Sequence, residues 1–313
     1  MPDMKKTSIG GQALIEGVMM RGPKKTAMAV RHTSGSIVTE EWDLDLSDRP
    51  KIWKLPLLRG LYGLVDSLRF GYKCLMRSAE LAGLEEDTDE PQTPAQKLLM
   101  GVMMVFSTVL GVALAFGLFM YMPSFLYKVL AGWFDGMTGG DFWTNNAVLR
   151  GVFEGVLRLV LFLVYIVLIT FMKDIRRVFM YHGAEHKTIF CYERGEELTV
   201  ENVKKQSRFH PRCGTSFLIL TLLVGIVISI CIHVQTVWLR VLIKVALLPL
   251  TVGVGYELIK LAGRKDNAFT RFISAPGLWI QRLTTKEPDD GMIEVAIRAL
   301  ELVLPEEKGK DEW

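Results

Sequence analysis

Two stretches without a formal charge constrain this chain more than any other feature. From Leu98 to Met122 there are 25 residues with no Asp, Glu, Lys or Arg, and from Cys213 to Leu239 there are 27. A water-soluble fold rarely hides runs of that length, whereas a bilayer needs about 20 apolar residues for each helix that crosses it. The sequence therefore predicts membrane-spanning helices. Hydrophobic residues make up 50% of the chain, too many for its bulk to be disordered. A net charge of +3, with no long basic block, argues against nucleic acid as a partner.

Four spans are predicted, over residues 98–122, 151–172, 216–235 and 241–261. The loop 123–146 carries one Lys and two Asp, whereas 173–215 carries nine Lys and Arg. Positive charge marks the cytoplasmic side. The expectation is thus a multi-pass protein of the cell membrane, with both termini and the 173–215 loop in the cytoplasm. The first 30 residues include Gly10, Gly11, Glu16 and Arg21 and do not read as a signal peptide. The four cysteines show no paired spacing, which fits a reducing compartment.

The fold class expected is mainly α: a polytopic helical membrane protein with four transmembrane helices and a small cytoplasmic α/β N-terminal segment. Residues 1–95 form that segment. It has short strands over 1–50, a hairpin loop at Thr33-Ser34-Gly35, a helix over 56–83 and an acidic linker over 85–94. The 56–83 helix is amphipathic and mostly basic, which suits either the membrane surface or a soluble core. Residues 96–265 form the transmembrane domain, and 266–313 a cytoplasmic C-terminal segment. In the latter, Ile293, Ala296, Ile297, Leu300, Val303 and Leu304 share one helix face, and the last nine residues read as disordered. Glu154 and Arg158, four apart on span two, are expected to neutralise each other.

The sharpest chemical motif is Tyr181-His182-Gly183-Ala184-Glu185-His186-Lys187. Histidines four apart on a helix stand one turn above each other and can grip one metal from the same face. Glu185 between them is placed to handle the proton of a bound water. His-x-x-Glu-His is the order of the inverted zinc-hydrolase motif. Nearby, His210-Pro211-Arg212-Cys213 has a spacing common in zinc sites, although Pro211, Gly214, Thr215 and Ser216 also read as a helix start. Glu257 is a carboxylate inside the fourth apolar span, functional by default unless Lys260 or Arg264 pairs with it. Two ligand sets follow. His182, His186 and Glu257 leave a position open for water, as a catalytic site does; His182, His186, His210 and Cys213 close a structural tetrahedron. The spacing does not choose between them.

The segments Gly10–Gly22, Tyr181–Lys187, His210–Thr215, Tyr256-Glu257 and Pro276–Pro288 together resemble the YqhQ-like family of bacterial membrane proteins. The resemblance runs from residue 10 to 288 and implies a membrane protein with a domain of unknown function, labelled a predicted metal-dependent enzyme. The leading expectation is a hydrolase using a divalent transition metal, zinc by donor type, at the cytoplasmic membrane face. Its partners are the lipid bilayer and a lipid-linked or membrane-proximal peptide substrate. The alternatives are a scaffold stapled by a structural metal, and a transporter using Glu257 and Lys244.

Overall fold

The computed structural model describes residues 6–44, 55–84, 94–264, 267–305 and Asp311. The expected linker and most of the expected disordered tail lie outside these residues. The sheet is made of β1 (Gly10–Leu14), β2 (Gly17–Arg21), β3 (Lys25–Arg31) and β4 (Ile37–Asp43). The helices begin with α1 (Leu58–Leu81), α2 (Pro94–Phe116), α3 (Met122–Thr138), α4 (Phe142–Asn145), α5 (Ala147–Ile169) and α6 (Lys173–Glu193). They continue with α7 (Val200–Lys204), α8 (Gly214–Ile230), α9 (Val237–Ala246), α10 (Leu248–Arg264), α11 (Ala268–Thr284) and α12 (Asp290–Glu301). The chain is mainly helical and divides into two units.

The first unit takes residues 1–85, 166–220 and 252–313. Its sheet is an antiparallel meander in the order β1-β2-β3-β4. Leu14 pairs with Gly17, leaving Ile15-Glu16 as a two-residue turn with Glu16 at φ 50°. Arg177 of α6 and the Tyr181 hydroxyl both donate to the Glu16 carboxylate, which fixes this turn against the metal-motif helix. Side chains alternate across the strands. Val18, Met20, Ala27 and Ala29 pack with α6 and α12, while Leu14, Met19, Met28 and Val30 pack with Cys74 of α1. Helices thus cover both sheet faces, so both faces are apolar. That is why Ile9–Gly22 reads as one apolar run rather than two strands.

The α1 helix packs one face into the core, as its soluble-core reading expects. Cys74 is in the core, whereas Val65, Leu68, Tyr72 and Met76 form an exposed apolar stripe. The α12 face matches expectation, and the Asp289 side chain caps it by accepting from the Met292 amide at 2.8 Å.

The second unit takes 86–165 and 221–251. Here α2, a π-helical turn at Gly117–Tyr121, and α3 run on as a single helix, whose 41 residues over Leu98–Thr138 include a strongly apolar, bilayer-length stretch. Every residue from Leu98 to Leu118 is exposed. A helix apolar all round and exposed all round is consistent with a membrane span. Among the described residues, two helices, this one and α5, are long and apolar enough to cross a membrane. The pair α9 and α10, bent by 47° at their junction, raises the number to three if it is one span. The α8 helix has 17 residues, or about 25 Å at ~1.5 Å per residue, short of a ~30 Å hydrocarbon core.

Glu154 of α5 is the polar centre of this unit, with its side chain 0% exposed. It accepts from Arg150 Nε at 3.1 Å, from Arg240 Nε at 3.0 Å, from Ser229 Oγ at 3.2 Å and from Lys244 Nζ. The expected pairing with Arg158 is replaced: Arg158 Nε donates to the Phe119 carbonyl at 2.8 Å. Burial explains the change, since a carboxylate out of water needs every donor it can reach. Arg240 and Lys244 are distant in sequence and could not be paired with it by spacing.

Candidate metal centre

The motif lies on α6, and its glycine has a steric reason. A Cβ at Gly183 would sit 2.0 Å from the Lys286 carbonyl oxygen, so only glycine lets α6 close on the 284–288 segment. The Lys286 amide donates to the Phe179 carbonyl at 2.8 Å and holds that approach. It brings the Thr284 carbonyl within 2.9 Å of His182 Nδ1. The Arg208 carbonyl stands 2.6 Å from His186 Nδ1. Against a carbonyl, Nδ1 can only donate. Both rings therefore turn Nε2 away from the backbone, the orientation that metal-binding histidines take when Nε2 is unprotonated.

Cys213, just ahead of α8, places its Sγ 3.2 Å from His182 Nε2. The ligand atoms of His182, His186 and Cys213 all lie within 4.8 Å of one another. Glu185 Oε2 is 3.8 Å from His182 Nε2. Behind it stands Gly11 of β1, where a Cβ would come within 2.9 Å of Glu185 Cγ. The N-terminal glycine-rich motif thus leaves room for this carboxylate. A cavity of about 560 Å³ opens on the group and is lined in part by Gln12, Leu64, Glu185 and Cys213.

The electrostatics are those of a mutually charged pair. Burial opposes the His182 cation, but the Cys213 sulfur outweighs it and raises the imidazole to about 9. Burial likewise opposes the Cys213 thiolate, yet the adjacent His182 and His186 rings hold its pKa well below the usual thiol value. Burial raises the Glu185 carboxyl, and the two histidines offset only part of that rise.

The other sequence candidates have different partners. His210 Nε2 faces Glu193 at 3.5 Å, and burial lowers its pKa, against the pull of the Glu193 hydrogen bond. Its ring centroid lies 5.7 Å from that of His186. Glu257 accepts from Arg59 Nε at 2.7 Å and forms an ion pair with that guanidinium. Among the described residues, neither His210 nor Glu257 belongs to the converging group.

Two supporting residues escaped the sequence reading. Gln281 is fully buried, accepts from the His210 amide at 2.7 Å and donates to the His210 carbonyl at 2.7 Å. This clamp sets the backbone that presents Cys213. Glu193 holds Arg212 as well as His210. Glu193 lies seven residues after His186, two turns along the same helix face, and that spacing was the available signal.

Fold and site together describe a mainly helical protein with bilayer-length apolar helices and a buried His–His–Cys group beside a glutamate. The chain belongs to the family described as protein of unknown function (DUF1385), which matches residues 55–306. It is 37% identical over 299 residues to the uncharacterized protein YqhQ of Bacillus subtilis (strain 168), covering 94% of this chain and 92% of that one. No solved structure matches it.

Proposed function

We propose that this protein is a metal-dependent hydrolase of the cell membrane, with its chemistry at the cytoplasmic face. The observation that carries this reading is the convergence of two carbonyl-anchored imidazoles and one thiol next to a buried carboxylate. Two nitrogens and one sulfur suit zinc. Three protein ligands leave a fourth position for water or substrate, as catalytic zinc sites do. Zinc bound there would lower the pKa of a water molecule towards neutrality and polarise a substrate oxygen. His182, His186 and Cys213 hold the ion. Glu185 is the general base: its Oε2 lies 3.8 Å from His182 Nε2, beside the converging ligand atoms, within reach of a water bound there.

Four spans complete the reading, with α8 crossing beside its neighbours and α9–α10 forming a bent fourth. Residues 123–146, expected as a loop but folded into α3 and α4, then lie outside, and both termini inside. The all-round exposure of apolar α2 supports burial in lipid. A reporter fused after Gly140 should read as extracytoplasmic and one after Glu197 as cytoplasmic; the reverse pattern defeats the orientation.

One observation favours a structural staple instead: the His210 ring lies beside His186, with centroids 5.7 Å apart. Glu185→Gln separates the two. In the hydrolase it should retain metal and fold but fail to complement a deletion strain, since losing a general base costs about 10²–10⁴ in rate. In the staple it should complement fully.

A further inference from the structure

Beside the centre, α1, α8 and α10 enclose an apolar groove of about 460 Å³, with Gly63, Phe217, Tyr256 and Ile259 among its walls. The groove shares Leu64, Ser67, Arg212, Cys213, Gly214 and Leu218 with the cavity of the centre. The two spaces therefore adjoin at Cys213, one of the three converging ligands. Among the described residues, the charged side chains lining the groove are Arg212, which Glu193 holds, and Lys260. Two of its walls, α8 and α10, are apolar helices, and α1 carries the exposed stripe Val65, Leu68, Tyr72 and Met76.

A peptide in an extended groove needs rows of backbone donors and acceptors. This groove offers an apolar trough between apolar helices, which is complementary to a hydrocarbon chain. We propose that it holds the hydrocarbon chain of a membrane lipid, and that the lipid's ester-linked head lies at the Cys213 end as the substrate of the centre. The second half of this proposal rests on the hydrolase reading; chain binding does not. In the hydrolysis, the water oxygen bonds to the ester carbon or phosphorus. The bond to the leaving oxygen breaks, and the proton taken by Glu185 passes to that oxygen.

Gly63 supplies the test. A Cβ there meets no atom within 4 Å, so Gly63→Ala is accommodated, and Gly63→Trp puts an indole on the α1 wall of the groove. Native mass spectrometry of the full-length protein in detergent would measure retention of phosphatidylglycerol, of chain-matched phosphatidylcholine and of soluble glycerol phosphate. Wild type and Gly63→Ala should retain phosphatidylglycerol. Gly63→Trp should retain it at least tenfold less, with unchanged metal content. His186→Ala should lose metal and keep the lipid. Ile259→Trp, which narrows the groove from α10, serves if Gly63→Trp does not fold. Wild-type lipid retention in both tryptophan variants overturns the proposal, as does binding of glycerol phosphate as strongly as the lipid. Tenfold loss of lipid in a protein that never holds metal upholds the chain site and defeats the hydrolase reading alone.

Discussion

His182 and Cys213 are 31 positions apart in the chain and 3.2 Å apart in space, imidazole Nε2 against thiol Sγ. The contact joins the metal-motif helix to the entrance of α8 and makes Cys213 distinct from the other cysteines. Burial raises Cys74 and Cys191 to about 11, so both stay protonated and inert. In a Cys231→Ser background, which removes the exposed cysteine, iodoacetamide should label Cys213 only after the metal is chelated. Zinc added back should protect it. Labelling that ignores chelator and zinc would show that the sulfur is not a ligand.

Glu154 and Glu257 are both acids in apolar helices, and removing them should have unequal effects. Glu154 is enclosed by Arg150, Arg240 and Lys244, and deleting it strands buried cations. Glu154→Ala is expected to destabilise the protein by about 3–5 kcal/mol. The Glu257–Arg59 pair is partly exposed, with side chains 29% and 31% accessible. Glu257→Ala should cost less than about 1 kcal/mol, as partly solvated pairs do. Thermal unfolding in detergent measures both, and equal losses would contradict the burial argument.

The Glu16 turn gives a pH dependence with a defined sign. The Arg177 hydrogen bond holds the Glu16 carboxyl below its ordinary 4.5, outweighing burial, which acts the other way. A carboxyl depressed in the folded state adds stability that is complete above its unfolded pKa and is lost as pH falls through its folded pKa. The melting temperature should therefore drop more steeply below pH 4.5 in wild type than in Glu16→Gln. Parallel curves for the two proteins would show that the latch does not contribute.

The sequence showed His182 and His186 because helical spacing alone puts them on one face. It did not choose the third ligand, because His-x-x-Cys fixes a separation and not a direction. The group that converges takes Cys213 from one expected set without His210, which turns to Glu193, and without Glu257, which pairs with Arg59. Those outcomes depend on Gln281 and Arg59, which no local pattern connects to them. The helix over 290–301 and the hairpin at Gly35 were legible because period and turn chemistry are local. The first two strands were not, because Ile15-Glu16 lacks the usual turn residues and both sheet faces are apolar. Span count proved the least legible feature. Hydropathy marks where apolar residues run, but not that one helix continues for 41 residues, that another stops at 17, or that a third bends at Leu247.

X-ray absorption on the purified full-length protein, combined with metal analysis, tests the central claim most directly. The account requires one transition metal per chain with two imidazole nitrogens, one sulfur and one further light atom in its shell, and loss of that metal in His182→Ala, His186→Ala and Cys213→Ala but not in His210→Ala. A protein without metal, a shell without sulfur, or a second set of protein ligands completed by His210 would contradict it.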